Sequence, residues 1–263
     1  GGDKMERFAI VKKNDELSYR RYLEIKGALE KTMCYDEKNP ELVISIGGDG
    51  TMLDACHQYM DQVEHIYFVG VHTGTLGFYA DYNHHQWQKL VTDIQQGNYR
   101  IDRRSLLKIE TNHQTMYALN EMRLEENHRT MVCDVYLNDE FLECFRGNGL
   151  CVSTPSGSTA YNRSLGGSII AASIPSLQLS EIAGIHHNAY RSLQSSLVLD
   201  ESVTITLKPQ MSQGMILGVD RETIPFGQDN SYVKISVAKQ FISFVHFHQV
   251  TLCQRLRRAF ISE

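Results

Sequence analysis

No apolar run in this 263-residue sequence approaches the roughly 20 residues that a membrane-spanning helix needs. A soluble protein is expected. No charged stretch followed by an apolar one opens the chain, as a secretory signal would, and Gly1-Gly2-Asp3-Lys4 ahead of Met5 reads as the remainder of a cloning tag, with Met5 the expected natural start. There is no CxxC pair. Cys34, Cys56, Cys133, Cys144, Cys151 and Cys253 fall at irregular spacings, which argues against a zinc or disulfide framework and predicts reduced thiols in a cytoplasmic protein. A basic surplus is missing as well: 26 Lys and Arg stand against 31 Asp and Glu, and the net charge of −5 is spread along the chain. No face tracks a phosphate backbone, so neither nucleic acid nor membrane is an expected partner. Neither an internal repeat nor a low-complexity tract suggests a solenoid or a disordered linker.

What the sequence does have is a 42% apolar content, enough for one large or two modest domains. Residues 7–11, 42–46 and 67–71 are short apolar runs that read as strands, with a helix predicted from about Asp15 to Met33 between the first two. Trp87, Leu90, Val91 and Ile94 then recur at helical spacing, and Gly97 follows as a stop. Strand-helix alternation of this kind predicts an α/β domain over residues 1–100 built on a parallel sheet. From Ser105 onward the period becomes 2. Met131 to Leu137 and Glu140 to Arg146 read as a hairpin across Asn138-Asp139, and further runs fall at 195–199, 203–207, 215–219, 232–237 and 241–247. A second, mostly antiparallel β domain is predicted over residues 101–248. The tail, residues 249–263, turns helical, with Leu252, Leu256 and Phe260 four apart, and is a candidate to pack back on the first domain.

Gly47-Gly48-Asp49-Gly50-Thr51 directly follows a buried-type strand and precedes the helical stretch 52–59. Glycines there let the backbone approach a ligand closely, and the N–H groups and dipole of the following helix favour a phosphate. Asp49 does not suit a passive cradle, because a carboxylate beside phosphate oxygens repels them unless a metal or a proton transfer compensates. It reads as a general base or metal ligand, or else as a helix cap. One strand later, His72-Thr73-Gly74-Thr75-Leu76-Gly77-Phe78 repeats the glycine-bearing design. Phe78 can stack on an adenine or fill the core, and His72 reads as a structural hydrogen-bonding residue.

Residues 154–167, Thr-Pro-Ser-Gly-Ser-Thr-Ala-Tyr-Asn-Arg-Ser-Leu-Gly-Gly, are too polar for a core strand. Their hydroxyls can read a base edge or hydrogen-bond ribose and phosphate, and they can equally be caps of a helical turn. Asn120-Glu121 after the run 116–119 carries the same ambiguity: an asparagine can bond an adenine edge twice, or simply close a strand.

In order and spacing, Gly47-Gly48-Asp49-Gly50-Thr51, Thr73-Gly74-Thr75-Leu76-Gly77-Phe78, Leu119-Asn120-Glu121 and Ser153-Thr154-Pro155-Ser156-Gly157-Ser158-Thr159-Ala160-Tyr161 resemble the NAD kinase family over nearly the whole chain. The first element is shared with lipid kinases and phosphofructokinases, and the last is the most specific. The length and the spelling of these elements look most like the enzymes of Gram-positive bacteria. The resemblance implies an α/β N-terminal domain followed by a mostly antiparallel β-sandwich domain that binds NAD, assembled as a homotetramer. It also implies transfer of a phosphoryl group from ATP, another nucleoside triphosphate or polyphosphate to the 2′-hydroxyl of the NAD adenosine ribose, with Mg2+ on the donor.

By the same resemblance Asp49 is the catalytic base and Gly50 helps hold phosphates. Asn120, Thr159, Ala160 and Tyr161 hold adenosine, Phe78 and Ser156 line the adenine pocket, and Ser164 with Ala183 supports the rest of the dinucleotide. Arg146 meets phosphate, Asp220 stands near the reacting end, and Glu121, Asn162 and Arg163 complete the substrate-binding set. None of these is assigned as a ligand of a resident metal. Two positions depart from the family pattern. Asn148, in Gly147-Asn148-Gly149, stands where many relatives carry Asp, which loses charge attraction for the nicotinamide end. Arg221 follows Asp220 where glycine or histidine is usual. A diacylglycerol-type lipid kinase and a non-catalytic NAD(P)-binding sensor are the competing readings.

Overall fold

The computed structural model describes residues 5–189, 191–227 and 229–261, so the four residues before Met5 and the last two of the tail lie outside it. The chain divides into two compact units, Gly1–Arg103 with Ile242–Glu263, and Arg104–Phe241. None of the described helices is long and apolar enough to cross a membrane.

In the first unit, strands Arg7–Lys12, Leu42–Gly47 and Tyr67–His72 pair in parallel, with Phe8 opposite Leu42 and Leu42 opposite Tyr67. The end of strand Val233–His246 pairs in parallel with Tyr67 and Phe68. All six residues of Leu42–Gly47 are buried, as expected of a parallel strand covered on both faces. Helix Glu16–Leu29 begins at Asp15, whose carboxylate accepts the Ser18 N–H at 2.8 Å. It ends four residues earlier than the apolar spacing suggests. Helix Trp87–Gln96 stops on Gly97, left-handed at φ 70°. Ile25, Leu29, Leu90 and Ile94 from these helices pack with Phe8, Ile44, Ile46 and Val69 into one apolar cluster.

The second unit is a β-sandwich. One sheet has six antiparallel strands in the order 197–200, 176–182, 149–153, 121–126, 215–219, 222–225. The facing layer includes 140–147, 131–137 and 205–209, also antiparallel. Leu124, Val152, Leu179 and Leu217 from one layer meet Cys133, Val135, Phe145 and Leu207 from the other in the second core. The hairpin turns on Asn138 and Asp139, both at positive φ (49° and 67°), as a two-residue turn matched to strand twist requires.

Three further sequence expectations are corrected. The runs at 232–237 and 241–247 form a single strand, Val233–His246, because Ala238-Lys239-Gln240 contains no turn residue to interrupt it. The helix after the glycine loop starts at Asp49 rather than at residue 52. In the tail only Leu252–Leu256 is α-helical before a wider π-type turn at Arg257–Ile261, and its buried residue is Arg255, with Leu252 left 44% exposed.

Candidate functional site

Gly47 closes its strand where a Cβ would stand 2.2 Å from the Thr51 hydroxyl oxygen, so the loop can fold back on Thr51 only with glycine there. Gly48 caps helix Asp49–Gln58 with no side-chain bond, and Asp49 is the first helical residue. The side chain of Asp49 is therefore not a cap of its own helix. Its Oδ2 accepts the Phe78 N–H at 2.9 Å and its Oδ1 accepts the Tyr79 N–H at 3.1 Å. The loop bearing Asp49 and the Thr73–Phe78 loop are thus joined through one carboxylate. Gly77 makes this approach possible, since a Cβ there would lie 2.1 Å from Asp49 Oδ1. Gly50 follows in the first turn of the helix, where backbone N–H groups lack intrahelical acceptors and the dipole favours an anion. The Phe78 ring is half-buried, 5.4 Å from that of Phe260, and belongs to neither apolar cluster. His72 Nδ1 bonds the Gly74 carbonyl at 2.8 Å, a structural role.

In the second unit the organising group is Asp220, itself at positive φ (50°) and 5% exposed. Its carboxylate accepts three successive backbone N–H groups: Leu119 at 2.8 Å, Asn120 at 2.7 Å and Glu121 at 3.2 Å. The Asn120 carbonyl in turn accepts the Thr154 N–H at 2.9 Å. Gly157 packs so tightly on Asn120 that a Cβ would fall 2.0 Å from its carbonyl oxygen. Asp220, the Asn120-Glu121 pair and the serine-rich segment are therefore one assembly, although far apart in sequence.

Much of the hydroxyl chemistry of residues 154–162 is internal. Ser158 Oγ donates to the Pro155 carbonyl at 2.7 Å, and Thr159 Oγ1 donates to the Ser156 carbonyl at 3.4 Å. Asn162, wholly buried, donates to the carbonyls of Ser158 and Ser168 and accepts from Ser180 Oγ at 3.0 Å. Ser156 Oγ accepts from Arg104 at 3.1 Å, Ala160 carries the chain from the 3-10 turn Ser156–Thr159 into the short helix Tyr161–Ser164, and the Arg123 guanidinium lies 5.4 Å from the Tyr161 ring centre.

Arg163 and Ser164, the last two residues of that helix, are exposed. Arg146, Asn148 and Ala183 form a separate group. The Asn148 N–H bonds the Ile182 carbonyl at 3.0 Å, and Ala183, at φ 47°, places its carbonyl 2.8 Å from where a Gly147 Cβ would stand. Asn148 is exposed, and Arg146 contacts the Cys144 sulfur at 3.6 Å.

Glu121 Oε2, Arg123 Nε and Ser153 Oγ, three of the buried side-chain atoms without a hydrogen-bond partner among the described residues, lie on one face of the six-stranded sheet, where Ser153 is paired with Glu121 in the ladder. Burial, reinforced by the Asp220 charge, pushes the Glu121 carboxyl up to about 8.

Residues 4–99 match the ATP-NAD kinase N-terminal domain, and residues 119–247 match the ATP-NAD kinase C-terminal domain. The chain belongs to the ATP-NAD kinase family. This family member is 37% identical to NAD kinase 1 of Halalkalibacterium halodurans over 264 aligned positions, covering 98% of this chain and 99% of that one. It is 39% identical to the NAD kinase of Staphylococcus aureus, covering 97% and 98%. Among solved structures the fold is similar to yeast NADH kinase complexed with NADH, with a TM-score of 0.85 at 19% identity over 99% of this chain and 89% of that one. It is also similar to an NAD kinase from Archaeoglobus fulgidus in complex with ATP, with a TM-score of 0.75 at 18% identity over 97% of each. The lipid-kinase and sensor readings gain nothing from these likenesses.

Sequence reasoning about the family's elements did not find Gly77, the Tyr79 amide or Arg255. The glycine was visible inside its element, but its reason, the Asp49 carboxylate at its α-carbon, is a tertiary contact.

Proposed function

We propose that this member of the NAD kinase family forms NADP by moving the γ-phosphoryl group of ATP, another nucleoside triphosphate or polyphosphate onto the 2′-hydroxyl of the adenosine ribose of NAD, with Asp49 as general base. The observation that carries this reading is the carboxylate of Asp49 fixed by two backbone amides at the first turn of a helix behind a glycine loop. Each carboxylate oxygen has two acceptor positions, so an oxygen already bonded to an amide can still accept the 2′-hydroxyl proton. Fixing the carboxylate beforehand removes the entropy of aligning it with the hydroxyl. The Gly50 amide and its neighbours serve the phosphates.

Asn120, Thr159, Ala160 and Tyr161 hold adenosine in this reading, with Ser156 against the adenine and Glu121, Asn162, Arg163, Ser164, Ala183 and Asp220 shaping the remainder. Asp220 acts by ordering the backbone of Asn120 and Glu121. Arg146 and Asn148 serve the phosphate and nicotinamide ends. A magnesium ion would arrive on the donor phosphates, with the Asp49 carboxylate of the glycine loop beside them, and bound there it would spread the charge that develops on the transferred group.

We also assign the chain to the cytoplasm and to a homotetramer. The first is supported by its six free cysteines. The second is supported by exposed apolar side chains on one stretch of the second unit, Ile169, Ile174, Ile185, Leu193 and Val198, each 42–50% exposed.

Incubating the purified protein with NAD, magnesium and either ATP or polyphosphate, and detecting product with an NADP-specific dehydrogenase, tests the reaction. NADP is expected with at least one donor, and no NADP with either donor overturns the reading.

A further inference from the structure

The Phe78–Asp81 segment is gripped from two directions. Its amides at Phe78 and Tyr79 hold Asp49, as described, while its carbonyls and the Asp81 side chain are held by Arg255 from the C-terminal segment. Arg255 Nη1 donates to the Phe78 carbonyl at 2.7 Å and reaches the Ala80 carbonyl at 3.5 Å. Arg255 Nη2 donates to Asp81 Oδ1, and Asp81 Oδ2 bonds His246 Nδ1, whose Nε2 lies 3.3 Å from Asp102 Oδ2. These are buried ionisable groups: the side chains of Asp81, His246 and Arg255 are 2%, 9% and 9% exposed. The helix carrying Arg255 is held at its start by Thr251 and Gln254, which cap each other's backbone. The Phe78 ring rests near Phe260 of the same segment. Tyr79, next along, stacks on Phe244 at 5.3 Å.

We propose that Arg255 is a positioning residue for phosphoryl transfer, acting through the Phe78–Asp81 segment to set the Asp49 carboxylate. The proposal rests on the reading of Asp49 as the base. Phe78 is pinned at both ends of one residue, its N–H on Asp49 and its C=O on Arg255, so the backbone there cannot turn without breaking one bond or the other. A guanidinium suits the task because its planar fork satisfies a carbonyl and a carboxylate at once, which a lysine ammonium on one stem cannot do with the same geometry. Removing it leaves the Phe78 carbonyl unpaired and the buried Asp81 short of a cation. Burial alone would raise Asp81, but His246 and Arg255 hold it below the usual carboxylate range. Burial alone would lower His246, but Asp102 and Asp81 raise it.

Arg255→Gln and Arg255→Lys, each first shown to be folded by circular dichroism and melting temperature, test this through two readouts. Hydrogen exchange of the Phe78 and Tyr79 amides reads the grip without reference to catalysis, and initial rates well below the melting temperature read its consequence. For Arg255→Gln we expect exchange at those amides to rise about tenfold or more. We expect kcat to fall about 10- to 100-fold while KM for NAD moves about threefold or less. Arg255→Lys, which keeps the charge beside Asp81, is expected to fold like the wild type and to show an intermediate loss of kcat. Unchanged exchange in both variants overturns the proposal, as does raised exchange with unchanged kcat. Asp49→Asn measured in parallel keeps the two readings apart: full turnover in that variant removes the base and leaves the exchange data to decide whether Arg255 grips the loop.

Discussion

Asp49 and Phe78, 29 residues apart in sequence, are joined by a 2.9 Å hydrogen bond from the Phe78 amide to the Asp49 carboxylate. The bond crosses from one strand-end loop to the next, and Gly77 alone leaves room for it. Replacing Gly77 with alanine puts a methyl group 2.1 Å from Asp49 Oδ1. The expected result is a loss of about 1–3 kcal/mol in stability from overpacking, together with a fall in kcat as the carboxylate is displaced. Gly27→Ala, inside helix Glu16–Leu29 with nothing within 4 Å of the new methyl, is the comparison. It is expected to raise stability by about 0.5–1 kcal/mol. Thermal melts and initial rates of the two variants check both statements, and equal behaviour of the two contradicts the crowding argument.

Asn148 is exposed in its turn and carries no charge to meet an oxidised pyridinium ring. Asn148→Asp is expected to lower KM for NAD about two- to fivefold, the scale of an exposed ion pair, with kcat little changed. Initial-rate measurements against NAD concentration decide it. A KM equal to that of the wild type counts against placing this residue at the nicotinamide end.

Glu121 gives the protein a pH dependence of defined sign. Its carboxyl is pushed up to about 8 in the folded protein, above the value of about 4.3 in an unfolded chain. Between those limits the folded state keeps a proton that the unfolded state has released, so raising the pH across this window favours unfolding. Glu121→Gln removes the titration. The melting temperature of the wild type, taken relative to Glu121→Gln at each pH, is expected to fall steadily from pH 5 to pH 8 and then to level off. A constant difference over that range contradicts the buried, protonated state.

The sequence was most legible where one signal dominated. Leu42 to Ile46 is apolar except for Ser45 and is a fully buried parallel strand, and Asn138-Asp139 between alternating runs is a hairpin turn with both residues at positive φ. It was less legible where one residue type serves two ends. An aspartate after a glycine pair suits a cap and a ligand equally, and what separates them is a pair of amides 29 and 30 positions away. The three amides collected by Asp220 lie about a hundred residues from it, beyond the reach of any local pattern. Arg255 was hidden for another reason. In the tail the eye follows Leu252, Leu256 and Phe260, whereas the side chain that is buried is the charged one, and arginine is buried so rarely that periodicity assigns it to solvent.

The proposed chemistry depends on Asp49, and turnover against affinity in Asp49→Asn measures its role most directly. The amide is nearly isosteric but a poor proton acceptor, so NADP formation is expected to fall by a factor of about 10²–10⁴ while NAD still binds within a few-fold of the wild type, as read by calorimetry. Retention of wild-type turnover by Asp49→Asn would contradict the assignment of this carboxylate as the base.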